Sequence, residues 1–325
     1  MATVGPVETL TELSEGRLAE LRRTHHFFWL DLERPEQREV DRLVDLIGLD
    51  PQAAARALRF GQSPHLRRFD GVETLVFYGA DPAGADGAQL VEVHLLVSGD
   101  WVVTLRLLAC PALDDLRSSF ADIRPAEEAV VARILQALAD SFNDLLDPLD
   151  ERIVDIETEA AGALRNVKPA PALRAEILQD RRRLLNALRI ARRQRDYMGW
   201  ALEDLSSLPG LQRAPRQDLD DVSGLMMRVA DQVDGALDRL SDALDLLNST
   251  VANRLNEAME RLTVVATIFL PLTVVTSFFG MNFKWLTDHI ESLGTFLVLG
   301  LGLCVGSGVV VWLWVRSRLE RGLED

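Results

Sequence analysis

Two uncharged runs near the C-terminal end limit what this chain can become. Leu262–Phe279 is 18 residues without a charged side chain and Leu293–Val315 is 23. At about 1.5 Å of rise per residue, each can cross roughly 30 Å of hydrocarbon as a helix. The 325 residues suit roughly one to three domains, and a purely soluble fold would have to hide both runs, so the chain reads as a membrane protein with a large N-terminal part. That part carries the charge. The whole chain is −15 at pH 7, and after residue 261 four cations (Lys284, Arg316, Arg318, Arg321) face five anions (Asp288, Glu291, Glu320, Glu324, Asp325), which leaves −14 on residues 1–261. So acidic a body disfavours nucleic acid and anionic lipid as partners and favours cations.

The two cysteines, Cys110 and Cys304, lie far apart, the second inside an apolar run, so neither a disulfide framework nor a thiolate metal cage is expected. The first ten residues lack a basic start and an apolar stretch, which argues against a cleavable signal and for a cytoplasmic N-terminal part. No phosphate-cradling glycine loop and no paired acid/base or nucleophile constellation emerges, so an enzyme is not expected.

Residues 1–124 read as mixed α/β. Phe27–Leu32 is a strand-like run stopped at Glu33-Arg34-Pro35, and Glu36–Ile47 repeats Val40, Leu43, Val44 and Ile47 on one helical face before Gly48. Further strands are expected at 74–78, 90–97 and 101–108, the last two as a hairpin, with Gly79–Gly87 as a loop. Residues 125–217 read as long helices: Ala126–Leu164, interrupted at Pro148 and closed by Pro169-Ala170-Pro171, then Leu173–Leu205, forming an antiparallel pair. The arginines at 181, 182, 183, 189, 192, 193 and 195 are expected to pair with carboxylates, and His25-His26 to be structural.

A third helix should run from Asp218 through a stalk, residues 218–261, into the first span, 262–279. Apolar residues recur every three or four positions from Val222 to Leu262. Such a rod, about 93 Å long, serves equally as an oligomerisation stalk or as part of a functional assembly. Two helices enclose no interior, so any transport requires several copies round an axis. Asn256, Met259, Leu262, Ala266, Leu270, Thr273 and Ser277 share one face and would form polar and apolar rings along a pore. For most of the hydroxyls at Thr263, Thr267, Thr273, Thr276 and Ser277, a bond to the helix's own backbone is the simpler role. The second span, 293–315, carries Gly302-Leu303-Cys304-Val305-Gly306, a close-packing spacing. The arginines after it, against a loop with one Lys and two carboxylates, place both termini in the cytoplasm and the loop outside.

That loop opens with Gly280-Met281-Asn282 at the end of the first of two C-terminal spans. With Asn253–Thr273 before it and Trp29-Leu30-Asp31-Leu32 upstream, the chain resembles the CorA-type divalent cation transporters, which include magnesium/cobalt channels and ZntB zinc transporters. The resemblance implies an α+β cytoplasmic funnel domain (αβα), a long stalk helix and two transmembrane helices, assembled as a homopentamer in the cell (inner) membrane. It implies Gly280, Met281 and Asn282 as selectivity filter, Asn256 near the cytoplasmic mouth, Met259 and Leu262 as hydrophobic gates, and Thr273 deeper in the pore. It also implies a regulatory Mg²⁺ site using Asp221, with Asp70 of the neighbouring subunit as its partner. No cofactor is expected; the cation, Mg²⁺, Co²⁺, Ni²⁺ or Zn²⁺, is cargo and regulator.

The loop departs from the Met-Pro-Glu-Leu-like tetrad of many magnesium members, having Lys284, Asp288, His289 and Glu291. Lys284 weakens cation concentration unless Asp288 and Glu291 offset it, and His289 suits Zn²⁺ if it is more than a solvated side chain. Three readings stand: a Mg²⁺/Co²⁺ channel, a ZntB-like Zn²⁺ carrier with or without protons, and a non-transporting membrane scaffold.

Overall fold

The computed structural model describes residues 7–83, 89–123, 129–162, 168–205, 216–281, 292, 294 and 297–321. The chain divides into two compact units, 1–246 and 247–325.

The first unit is built on a six-stranded mixed sheet: β1 (Glu8–Leu10), β2 (Phe28–Glu33), β3 (His65–Phe69), β4 (Val72–Asp81), β5 (Gln89–Val97) and β6 (Trp101–Arg106). Its order is β1-β2-β6-β5-β4-β3, with β1, β2 and β6 parallel and the rest antiparallel. Alternation along β2 explains a sheet covered on both faces. Phe28, Leu30 and Leu32 join a core with α1 (Glu15–Arg23), α2 (Gln37–Ile47) and α3 (Pro51–Ala57). Trp29 and Asp31 point the other way, and the Trp29 ring meets Phe120 of α4 (Pro111–Ile123) at 5.5 Å between centroids. The α5 helix (Val130–Ala160) lies on β4 at Gly79, where an added Cβ would sit 2.8 Å from Leu138 Cδ2 and 3.0 Å from Ser141 Oγ. Ser141 Oγ accepts the Ala80 N–H at 2.8 Å. The result is α+β in three layers.

Local chemistry sets the element ends. Glu36 and Glu39 form a reciprocal capping box at the start of α2, and Gly48 ends it at φ 68°. Asp50 caps α3 by accepting from the Gln52 and Ala53 amides. The 90–97 and 101–108 strands do form a hairpin, though the second ends at Arg106. The loop expected over Gly79–Gly87 starts later, because β4 continues to Asp81 opposite Gln89; Gly79 is there for close helix approach, not for a turn. Residues 84–88 lie outside the described residues. The short elements β1, α1, α3, β3 and α4 add to the sequence expectation.

Pro148 does not interrupt α5, since the carbonyl it frees, on Asp144, is at an exposed position. The helix ends instead at Ala160, before Gly162 at φ 70°. Pro169-Ala170-Pro171 opens the next helix, α6 (Ala170–Leu205), consistent with proline's fit to a first turn. Arg152 of α5 pairs with Asp180 at 3.0 Å, and Lys168 lies between Glu159 and Glu176 at 3.7 and 2.7 Å, so the pair is antiparallel. The arginine stretch pairs only in part: Arg192 reaches Asp234 at 2.5 Å, while Arg195 and Arg183 meet carboxylates of their own helix. Helix α6 is described to Leu205, the end expected of it, and residues 206–215 lie outside the described residues.

The last elements are α7 (Arg216–Phe279), 64 residues long, a five-residue π-helix (Leu297–Leu301) and α8 (Gly302–Arg321).

Candidate cation pathway on the long helix

Helix α7 is about 96 Å long. Its apolar row changes character along its length. Val222, Met226, Val229, Val233 and Leu240 are fully buried, whereas Leu255, Met259, Leu262 and Leu270 are 58–70% exposed. Among the described residues α7 is long and apolar enough to cross a membrane, and large apolar side chains bare in one chain call for lipid or other copies. The expected second span, 293–315, is helical at Gly294 and from Leu297 on, with a π-turn over Leu297–Leu301; residues 293, 295 and 296 lie outside the described set.

The seven expected pore residues, Asn256, Met259, Leu262, Ala266, Leu270, Thr273 and Ser277, are all exposed on α7. At 100° per residue they fall within an arc of about 120°. Exposure alone does not single out that arc, since Val265, Phe269 and Phe278, which lie off it, are also exposed. The hydroxyls have the local role expected of them: Thr263, Thr267, Thr273 and Thr276 donate to the carbonyls of Met259, Thr263, Phe269 and Leu272 at 2.7–2.9 Å. This has a chemical consequence at Thr273. With its proton committed to Phe269, its oxygen is left as an acceptor, matched to the outward-pointing hydrogens of water bound to a cation.

The helix closes at the motif, with the Gly280 N–H donating to Thr276 O at 2.9 Å and Met281 N–H to Phe278 O at 3.3 Å. Gly280 does not use left-handed backbone freedom; its value is the missing Cβ, which would sit 3.1 Å from the Thr276 carbonyl oxygen. Met281 is exposed. Asn282, Lys284, Asp288, His289 and Glu291 lie outside the described residues.

The two carboxylates considered for regulation are both exposed. Asp221 is near the start of α7. Asp70 with Gly71 (φ 68°) makes the two-residue turn between β3 and β4, where Phe69 pairs with Val72, so turn formation already accounts for it. Among the described residues of one chain, no three His, Cys, Asp or Glu side chains converge to hold a metal.

Sequence reasoning singled out Trp29-Leu30-Asp31-Leu32 but not its partners. The Trp29 indole N–H donates to Thr104 Oγ1 at 2.9 Å, and Thr104 donates to Asp31 Oδ1 at 2.6 Å. Arg106 and Arg117 pair with Asp31 at 3.1 and 2.9 Å, and each also reaches Asp114 at 2.9 Å. Burial lowers the Arg106 pKa, but the surrounding carboxylates outweigh it and hold the group above its ordinary value. The network closes the carboxyl end of the parallel strands and is structural.

The α+β domain runs on through one continuous helix into a bare apolar segment long enough to cross a membrane, which defines a protein of the membrane-spanning class. Residues 24–317 match the model of the CorA-like Mg²⁺ transporter protein family, and the chain belongs to that family. It is 29% identical over 301 residues to the cobalt/magnesium transport protein CorA of Thermotoga maritima, covering 90% of this chain and 83% of that one. It is 24% identical over 238 residues to the zinc transport protein ZntB of Pectobacterium atrosepticum, covering 73% and 70%. Its fold matches the complete CorA magnesium transporter of Methanocaldococcus jannaschii with a TM-score of 0.76 at 18% identity, covering 89% of each chain. The protein is thus a membrane-embedded member of a divalent cation transporter family.

Proposed function

We propose that five copies of this chain form a Mg²⁺/Co²⁺ pathway in the cell membrane, with the α7 face from Asn256 to Ser277 lining it and Gly280-Met281-Asn282 selecting the hydrated ion at the outer end. The observation that carries this is the exposed helix face that ends at this motif, in a chain of the CorA-like family. Mg²⁺ sheds water reluctantly and prefers oxygen. Asn282 amide oxygens, and Thr273 oxygens whose protons are already committed, accept hydrogen bonds from first-shell water without stripping the ion. Met259 and Leu262 supply apolar rings that close by dewetting. Membrane potential supplies about 2.3 kcal/mol per charge per 100 mV. The arginines at 316, 318 and 321 favour cytoplasmic termini.

A ZntB-like Zn²⁺ carrier is the second reading, favoured by His289 and by the likeness to ZntB proteins. Flux into liposomes of Mg²⁺, Co²⁺, Ni²⁺ and Zn²⁺, with and without a pH gradient, separates the two. The first expects Mg²⁺ and Co²⁺ flux indifferent to the gradient; the second expects Zn²⁺ flux, which responds to the gradient if protons move with the metal. Absence of flux for every ion leaves only the scaffold reading.

Regulation by internal Mg²⁺ is assigned to Asp221, the bound ion screening carboxylate repulsion between copies and favouring the closed assembly. Asp221→Ala is expected to raise transport at high internal Mg²⁺. An unchanged inhibition curve removes Asp221 from the mechanism.

A further inference from the structure

Away from the cation pathway, His94 of β5 is buried with both ring nitrogens against oxygen. Nδ1 lies 2.7 Å from the Ala57 carbonyl oxygen at the end of α3, and Nε2 lies 2.8 Å from Glu92 Oε1. A carbonyl only accepts hydrogen bonds, and so does an ionised carboxylate. Glu92 is held ionised: burial pushes its pKa up, but His94 and the amides of Gln62 and Gly61 outweigh burial and keep it below the ordinary value. Those amides donate to it at 3.0 and 2.6 Å, and the Tyr78 hydroxyl lies 3.1 Å from Oε2. Tyr78 also donates to the Gln62 carbonyl.

Acceptors at both nitrogens require two ring protons. A neutral ring would leave one buried contact facing lone pair to lone pair, which is costly at a buried pair. The Phe60 ring, stacked at 4.4 Å and 18°, covers the face of the cation. We propose that His94 and Glu92 form a proton-operated latch holding the segment between α3 and β3, residues 58–64, against the sheet. The latch is closed while His94 is an imidazolium and loosens when it loses a proton.

The charged surroundings are consistent with that direction. Glu92 on the same strand touches the ring. Arg56 of α3 and His65 and Arg67 of β3 line the small cavity beside it. Both arginines are exposed and screened by solvent, and His65 Nδ1 is engaged with Ser63 O at 2.8 Å. Tyr78 of β4 is kept protonated, its pKa pushed up by burial and by Glu92. Glu92 is therefore the charged group in direct contact with the ring. The cavity, about 20 Å³, has room for one water beside the ring.

The test is hydrogen–deuterium exchange of the full chain in lipid nanodiscs, followed on peptides covering residues 58–64 and corrected for intrinsic exchange. Between about pH 6 and pH 8.5, protection of the Gly61 and Gln62 amides is expected to fall about tenfold, the loss of one hydrogen bond to a charged group. His94→Gln should lower protection at the acid end and remove the step. Constant protection in the native chain overturns the latch, and so does a step that survives in His94→Gln. If His94→Gln does not fold, Glu92→Gln carries the same expectation, and a step persisting there overturns it equally. The readout is local exchange, so it is independent of which ion the protein moves.

Discussion

Alanine at position 282 is expected to remove divalent cation flux while leaving the assembly and its thermal stability unchanged. The amide of Asn282 is the neutral acceptor in the motif, and it is repeated in every copy of the proposed ring. A hydrogen bond to a charged partner contributes about 1.5–3 kcal/mol, and tenfold corresponds to about 1.4 kcal/mol. Losing it from all copies at once should lower Mg²⁺ flux well over tenfold in liposomes. The neighbours do not replace it: Met281 offers a thioether, a poor partner for a hard cation, and Gly280 has no side chain. Intact flux in Asn282→Ala would show that the conduit is elsewhere. Because the substitution lies outside the packed α/β unit, the melting curve is the control that separates a lost filter from a lost fold.

The second large effect is expected in the sheet. Asp31 is 2% exposed, and its carboxylate is the common anion for Arg106, itself 3% exposed, and for Arg117. Asp31→Ala takes from a buried guanidinium one of its three carboxylate partners and breaks the chain from Trp29 through Thr104. Removing one partner of such a pair destabilises by about 3–5 kcal/mol, a large share of the roughly 5–15 kcal/mol that holds a domain folded. Asp114 and Glu33 remain near Arg106, at 2.9 and 3.1 Å, so the lower end of that range is expected. For a unit of this size that is a fall of roughly 10 °C in melting temperature. A shift within about 2 °C would mean that Asp114 and Glu33 suffice and that Asp31 is dispensable.

The amino-acid order by itself determined the parts of this protein that rest on periodicity and on covalent constraints. The uncharged run over 262–279 and the three-or-four spacing from Val222 onward specify one continuous helix, because both depend only on helical repeat. Gly48 and Pro35 bracket α2 for the same local reason. The motif Gly280-Met281-Asn282, standing at the end of a span, pointed to a transporter family. Tertiary structure decided what local rules leave open. Gly79 belongs to a strand because α5 approaches too closely for a Cβ, and no neighbour in sequence reveals that. Pro148 stays inside α5 because the carbonyl it frees faces water. Asp31, Thr104, Arg106 and Arg117 meet only when β2 and β6 pair in register, and His94 has an oxygen at each ring nitrogen only when α3 brings the Ala57 carbonyl to its ring. Each of these is set by the distance between groups remote along the chain, a quantity fixed by packing.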